Sequence, residues 1–528
     1  MSLQKIAPLL LACALLVTAC KPSAGTDTPA LDDLHTLSVV AGSELKDMEP
    51  LLPDVERATG VRLVLRYAGT LDAVEQLKGG APMDAAWLAS NRYAMLMPDV
   101  RSRILASERI MLTPVVLGIK QSKARALGWD NNPDVTWKDI AKAATDGKFT
   151  FGMTSPASSN SGFSGLLGLA AALSGKGDAL EEKDIDGKRL AAFFKAQRLT
   201  AGSSGWLADA YLREPGQVDG LINYASTLLS LNANPALAEK LVLIYPKDGI
   251  VTADYPLMLL NSAKREAYAK VAAYLRDKPF QQAMATATLR RPVNADVQAP
   301  GQPGPALVEL PFPAKLAVVD AILASFDNEV RLPTDSTFVL DKSGSMQGSR
   351  IADLRTAMLG LSGADATISG RFARFRNRER IYLLPFSSAP EGLEAYEMGM
   401  NATSNRMALA HVTQRVQSLQ ANGGTAIYDS LKQAYLAAIA RRHDDPERFY
   451  TVVLLTDGEN SSGTNAADFV AWYERLPARD KGIKLFPIVF GEADQGEMQR
   501  LADLTGGRSF DSRKSNLQAI FKEVRGYQ

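Results

Sequence analysis

Five oxygen-bearing side chains in three separated stretches are the residues best equipped for chemistry. In Phe338-Val339-Leu340-Asp341-Lys342-Ser343-Gly344-Ser345-Met346 a short apolar run stops at an acid, two hydroxyls follow at alternate positions, and a helical pattern starts near Ser349. That order reads as strand, tight loop and helix, and in open α/β sheets ligands sit at the carboxyl ends of such strands. Asn422-Gly423-Gly424-Thr425 opens another helix and puts the Thr425 hydroxyl at a loop tip. Val452-Val453-Leu454-Leu455-Thr456-Asp457-Gly458 reads as a buried strand ending in an acid before a turn. Hard oxygens from Asp341, Ser343, Ser345, Thr425 and Asp457 suit Mg²⁺, which is small, octahedral and content with one or two carboxylates plus waters. Mn²⁺ and Ca²⁺ are the alternatives. Taken alone, Asp341 and Ser343 would also serve as helix caps; all five elements in order, each on its expected strand or helix, set the constellation apart from a cap.

The pattern Asp-x-Ser-x-Ser, then a distant Thr, then a distant Asp after an apolar strand resembles the von Willebrand factor A domain, over residues 314–528 with a leading helix. The resemblance implies a doubly wound, Rossmann-like α/β domain whose metal-ion-dependent adhesion site is built from these residues. It implies that Asp341, Ser343, Ser345 and Thr425 bind the metal directly or through water, and Asp457 through water. It also implies a protein partner whose Asp or Glu carboxylate completes the octahedron. The residues alone point the same way: hydroxyls dominate the set, which leaves a metal electron-poor, and no His or spare carboxylate is placed as a base.

The chain has 528 residues, room for about three domain-sized units. Hydrophobic residues make up 46% and charged residues 22%, as in globular domains with sizeable cores. Lys+Arg 59 against Asp+Glu 58 leaves +1, so no overall field favours nucleic acid. Lys5, the apolar run Ile6 to Val17 and small residues before a cut make residues 1–19 a secretory signal, too short to span a bilayer stably. Val17-Thr18-Ala19-Cys20 resembles the bacterial lipobox, which implies lipidation of Cys20 and a membrane anchor; ordinary cleavage beside an incidental Cys is the alternative. Lys21 then implies the outer rather than the inner membrane. Residues 20–35 form a tether. On that reading Cys13 would be lost with the signal and Cys20 would be lipidated, so no disulfide or thiol chemistry is expected.

Between residues 36 and 293 strands alternate with helices, which implies parallel, wrapped sheets. Strands are expected at 37–41, 61–67 and 84–88. Met111 to Lys120, with Pro114 inside it, reads as a crossover into a second lobe. That lobe would hold Phe149-Thr150-Phe151-Gly152, a Ser-rich loop from Thr154 to Gly162, a helix from Phe163, and helices around 188–198 and 206–213. Asp254-Tyr255-Pro256-Leu257 leads back to the first lobe. This order, with the Tyr67-Ala68-Gly69-Thr70 loop, resembles the extracellular solute-binding proteins of type II periplasmic-binding fold, and the loop is similar to oxyanion-binding members. The resemblance implies a small oxyanion or other solute between two lobes that close by hinge motion. Loops facing that cleft would bring Ser43, Thr70, Ser158, Ser159, Ser161, Tyr224 and Tyr255 to the ligand, with Asn223 as a further candidate. The serines ahead of a helix could donate to an anion; they would serve equally as caps that bind nothing.

Residues 294–313 carry Pro300, Pro303, Pro305, Pro311 and Pro313 and read as an extended linker. A helical pattern follows from Ala314 to Val330. Five arginines between Arg371 and Arg380 read as a solvated loop face, with an acidic partner or lipid headgroups as the alternative. Other catalytic signatures are weak. His35, His411 and His443 are dispersed, and Ser43-Glu44-Leu45-Lys46 has no Ser-Asp-Asn companion. The expectation is therefore a non-enzymatic, lipid-anchored periplasmic binding and scaffold protein. The alternative is a solute receptor for an ABC transporter with an accessory A domain; a metal-dependent hydrolase is the third reading.

Overall fold

The computed structural model describes residues 35–176, 179–298, 308–491, 493–513 and 517–528. The signal stretch, Cys20, the tether before His35 and the middle of the Pro/Gly linker lie outside the described residues. Among the described residues no helix is long and apolar enough to cross a membrane.

The chain is α/β throughout, with three sheets. The first lobe has a five-stranded sheet in the order Arg62–Ala68, Thr36–Gly42, Ala85–Trp87, Pro256–Leu259, Ala106–Arg109. Its first two pairings are parallel and its last two antiparallel, because Pro256–Leu259 returns from the second lobe. The second lobe is organised on Met111–Lys120, which pairs with Gly220–Tyr224, Leu241–Ile244, Val251–Ala253 and Arg291–Pro292. Beyond Gly220–Tyr224 come Phe151–Thr154 and Gln197–Ala201. The expected crossover is therefore a long strand shared by many partners, with Pro114 accommodated opposite Thr252. The chain crosses between lobes at Ile110 and again at Asp254-Tyr255. Tyr255 sits at φ 42°, in the left-handed region that non-glycine residues rarely occupy.

Local expectations needed correction where pairing with distant strands decided the outcome. The helix near 188–198 ends at Phe194, and Gln197–Ala201 is a strand held by Phe151–Thr154. The helix expected from Phe163 begins earlier and spans Asn160–Ser174.

In the C-terminal domain a six-stranded sheet runs Glu394–Glu397, Arg380–Phe386, Thr334–Asp341, Phe449–Thr456, Lys484–Val489, Phe510–Asp511. Only the outer pair is antiparallel. All eight residues of the central strand Thr334–Asp341 are buried, as a parallel strand covered on both faces requires. One face packs on Ser349–Leu359 and Leu517–Arg525, the other on Ile427–Asp444.

The helix Leu316–Ser325 and its π-helical extension Phe326–Val330 do not pack as a leading helix of the C-terminal sheet. Val319, Ile322, Leu323, Phe326 and Val330 are buried in the core of the two-lobed unit. Tyr93 Oη donates to Asp320 Oδ1 at 2.8 Å, and Phe194 stacks edge-on to Phe326 with centroids 5.0 Å apart.

The arginine run is not a solvated face either. Arg371 and Arg374 are exposed, but Arg376 pairs with Asp327, and Arg378 donates to the carbonyls of Asn328 (3.0 Å) and Arg331 (2.7 Å). Arg380 pairs with Glu397 and Asp445. Beside them Glu379, 1% exposed, is bonded by Arg331 and by Arg525 at 2.6 Å. Burial pushes the Glu379 carboxyl up, but Arg525, Arg331 and Arg376 outweigh it and hold the group below its ordinary range. Removing one member of such a buried cluster strands the remaining charges. Glu379→Ala should therefore lower stability by about 3–5 kcal/mol in urea denaturation, and a loss under about 1 kcal/mol would contradict this packing.

Candidate metal centre and ligand cleft

Asp341 ends the buried central strand and is itself 0% exposed. Its Oδ1 accepts from the Ser343 backbone N–H at 2.7 Å and its Oδ2 from the Thr456 hydroxyl at 2.6 Å. Ser343 and Ser345 stand with hydroxyls 3.0 Å apart, and Ser345 Oγ donates to Asp457 Oδ1 at 2.7 Å. Thr425 reaches the same spot from a second loop, which is tied down by Asn422 N–H donating to Lys342 O (2.8 Å) and Gly344 N–H donating to Gly423 O (2.9 Å). Gly423 adopts φ 78°, and a Cβ there would lie 2.9 Å from Ser388 Oγ, so the turn needs glycine for both reasons. A Cβ on Gly458 would lie 3.4 Å from Ser345 Oγ and 3.9 Å from Thr425 Oγ1, which places all three segments around one point.

The structure thus brings Asp341, Ser343, Ser345, Thr425 and Asp457 together. Four of them are at most 6% exposed, and Ser345 opens to solvent. Burial, with the nearby Asp457 charge adding to it, pushes the Asp341 carboxyl up despite its hydrogen bonds. Two carboxylates and three hydroxyls with one open side form a donor set of hard oxygens into which a small divalent cation fits.

Three contributors escaped the sequence reading. Arg350, in the first turn of Ser349–Leu359, donates to Asp457 Oδ2 at 2.6 Å. Ser461 Oγ accepts from the Thr425 N–H at 2.9 Å and Ser388 Oγ from the Gly424 N–H at 2.7 Å. Arg350 carried a faint signal, a cation just past the acid-hydroxyl loop; the serines carried none.

A cavity of 960 Å³ lies between the two lobes. Ser43 and Ser158 line it, and Thr70 and Ser159 line a small recess beside it. Ser161, Tyr224 and Tyr255 stand behind its wall. The Ser161 hydroxyl is buried among Ser204 (2.7 Å), Thr154 (2.8 Å) and Ser159 (3.2 Å). Tyr224 accepts from Asn160 Nδ2 at 3.0 Å, and Asn223 donates to Ser204 O at 3.1 Å. Ser159 occupies the cap position of Asn160–Ser174 without a capping side-chain bond. The positions missed from sequence are Glu44 and Arg290. Arg290 pairs with Asp47 at 2.7 Å, donates to Glu44 O at 3.2 Å and lies 4.9 Å from the Tyr255 ring centre. Burial pushes the carboxyls of Glu44 and Asp47 and the phenols of Tyr224 and Tyr255 up.

Glu44 is half-buried, but its Oε1 is fully enclosed and unpartnered. A carboxyl whose folded pKa exceeds its unfolded value holds its proton more tightly when folded. Stability then falls as pH rises through that interval. Glu44→Gln should stabilise the protein more at neutral pH than near pH 4.5; urea midpoints at the two pH values measure the difference, and an equal shift at both would refute the assignment.

Comparison with known proteins finds two families along the chain. Residues 37–287 match the family described as bacterial extracellular solute-binding protein, and residues 335–523 match the von Willebrand factor type A domain. An uncharacterized protein of Synechocystis sp. is 30% identical over 139 residues; the match spans 26% of this chain and 28% of that protein's length. Similar solved structures include the periplasmic binding protein AfuA from Actinobacillus pleuropneumoniae with exogenous fructose-6-phosphate bound. It is 13% identical with TM-score 0.44, covering 56% of this chain and 98% of the other. The apo ferric ion-binding protein A of Pasteurella haemolytica is 16% identical with TM-score 0.43, covering 56% and 97%. Residues 37–287 are an extracellular solute-binding domain, and residues 335–523, with the constellation around Asp341, are a von Willebrand factor type A domain.

Proposed function

We propose that this is a lipid-anchored periplasmic binding and scaffold protein, whose C-terminal domain captures an acidic side chain of a partner protein through Mg²⁺ while its cleft holds a small solute. The observation that carries the reading is the convergence of five hard oxygens from three loops on one point that opens to solvent at Ser345. When bound, Mg²⁺ would supply a Lewis-acidic position to which an outside carboxylate oxygen adds. The chain's own residues do the rest. Asp341 brings its charge from the strand end, held by Thr456 and the Ser343 N–H, and Asp457 brings the second charge. Ser343, Ser345 and Thr425 are neutral donors, so the set offers fewer negative charges than a carboxylate cage and favours an anionic partner. Both carboxylates are already engaged, Asp341 by Thr456 and the Ser343 N–H and Asp457 by Ser345 and Arg350, which suits them to holding a cation more than to taking a proton. The anchor rests on Val17-Thr18-Ala19-Cys20, and the non-enzymatic reading on both matched families being binding domains.

A pull-down from envelope extracts tests this: the full chain should recover partner in Mg²⁺, recover at least about tenfold less with chelator or with Asp341→Ala, and leave the membrane fraction with Cys20→Ser. Equal recovery in all conditions would sink the adhesion reading. Arg350 supplies a subtler check. Its cation competes with a metal for the Asp457 charge, so Arg350→Gln should tighten Mg²⁺ binding by roughly fivefold in calorimetry, about 1 kcal/mol; unchanged or weaker affinity would show that Arg350 only positions Asp457.

The solute-receptor reading, with delivery to an ABC transporter, is favoured by the family of residues 37–287. Tight solute capture and a transport defect, both indifferent to chelator, would select it.

A further inference from the structure

The cavity between the lobes has a third wall. Besides residues of both lobes, it is lined by Ser369, Phe372, Arg508, Lys522 and Gly526 of the C-terminal domain. This domain therefore lies across the mouth of the cleft, and it holds the two lobes in different ways.

Its attachment to the second lobe is a continuous apolar core. Leu199, Leu207 and Tyr211 share one buried cluster with Phe338, Phe521 and Tyr527. The Arg508 guanidinium stacks 4.2 Å from the Trp206 ring centre. Backbones meet closely too: a Cβ on Gly526 would lie 3.0 Å from Gly202 Cα and 2.7 Å from Ser158 Oγ. Close packing of this kind moves as one body.

Its attachment to the first lobe adds polar ties to two buried apolar side chains, Ile368 and Phe372. The Ile368 N–H donates to Glu75 Oε2 at 2.8 Å, and Lys522 Nζ lies 3.5 Å from Asp72 Oδ1. Both acids sit on the helix Thr70–Gly79, against which Ile368–Ala373 packs, burying Ile368 and Phe372. Asp365 (3.2 Å) and Ser369 (2.8 Å) also hold Lys522, so it stays placed whether or not the first lobe is present. The bond from Tyr93 to Asp320 is a further tie from this lobe to the segment ahead of the domain.

We infer that the von Willebrand factor type A domain is a latch on the cleft: fixed to the second lobe, it clips the helix Thr70–Gly79 of the first and sets the opening between them. Rotation about the crossings at Ile110 and Tyr255 changes the separation of Glu75 from the second lobe, so the lobes cannot change their opening until the clip lets go. Solute exchange and domain docking are then linked, each altering the other by the same free energy. This consequence rests on residues 36–293 forming a ligand cleft; the latch itself does not.

Hydrogen exchange on the full chain, without solute, tests it. Asp72→Lys combined with Glu75→Lys should speed exchange in Thr70–Gly79 and Ile368–Ala373 at least about tenfold and leave Ser204–Arg213 unchanged. Raised salt should act in the same direction on the wild type. Exchange within about twofold of wild type in the folded double variant would overturn the latch; should that variant not fold, Lys522→Gln decides by the same criterion. Because no solute is present, a failed ligand search removes the cleft reading and leaves the latch standing, whereas unchanged exchange does the reverse.

Discussion

Burial of the Asp341 carboxylate at the end of a strand covered on both faces is the constraint on which the C-terminal domain is built. A charge there is costly unless polar groups surround it, and the neighbouring segments are shaped to supply them. Thr456 ends the next strand with a hydroxyl aimed back at it, and the chain turns at once so that the Ser343 N–H reaches it. The glycines at 423 and 458 let two other loops come close without side chains in the way. The hydroxyl-rich, glycine-rich composition of these loops follows from that one buried charge, and so does the sharp stop of the apolar run after Leu340.

What was legible in the sequence was whatever local pattern decides. Phe338 to Asp341 and Val452 to Asp457 announce themselves as buried parallel strands that stop at acids, and the alternation from Thr36 to Trp87 announces the first lobe. What was not legible depends on partners far along the chain. Gln197-Arg198 continues a helical pattern and becomes strand because Phe151–Thr154 takes it as a neighbour. The arginines near residue 376 look like a charged surface until Asp327, Glu397 and Asp445 are seen beside them. Glu44 and Arg290 stand 246 residues apart, and nothing local in either marks the cleft wall they form together. Asp341, Ser343 and Ser345 are marked by their alternation within one loop, Thr425 by its place at a loop tip and Asp457 by the end of an apolar run; Ser388 and Ser461, which only brace those loops, carry no such mark.

The two-lobed unit and the C-terminal domain are also less separate than the chain order implies. Apolar residues of the second lobe and of the C-terminal sheet belong to one buried cluster, and the buried Gly202 and Gly526 bring their backbones together. The domain therefore enlarges the core of its neighbour as well as presenting a site of its own, and larger shared cores bury a greater fraction of the chain's surface.

The segment 316–331 carries this furthest. Its Val319, Ile322 and Phe326 side complete the core of the two lobes, whereas Asp327 and Arg331 at its end neutralise Arg376 and Glu379 in the following domain. A cut before it uncovers an apolar face on one product; a cut after it orphans buried charges in the other. Among the described residues, then, this segment belongs to both modules at once, and separating them at either of its ends leaves one of the two pieces incomplete.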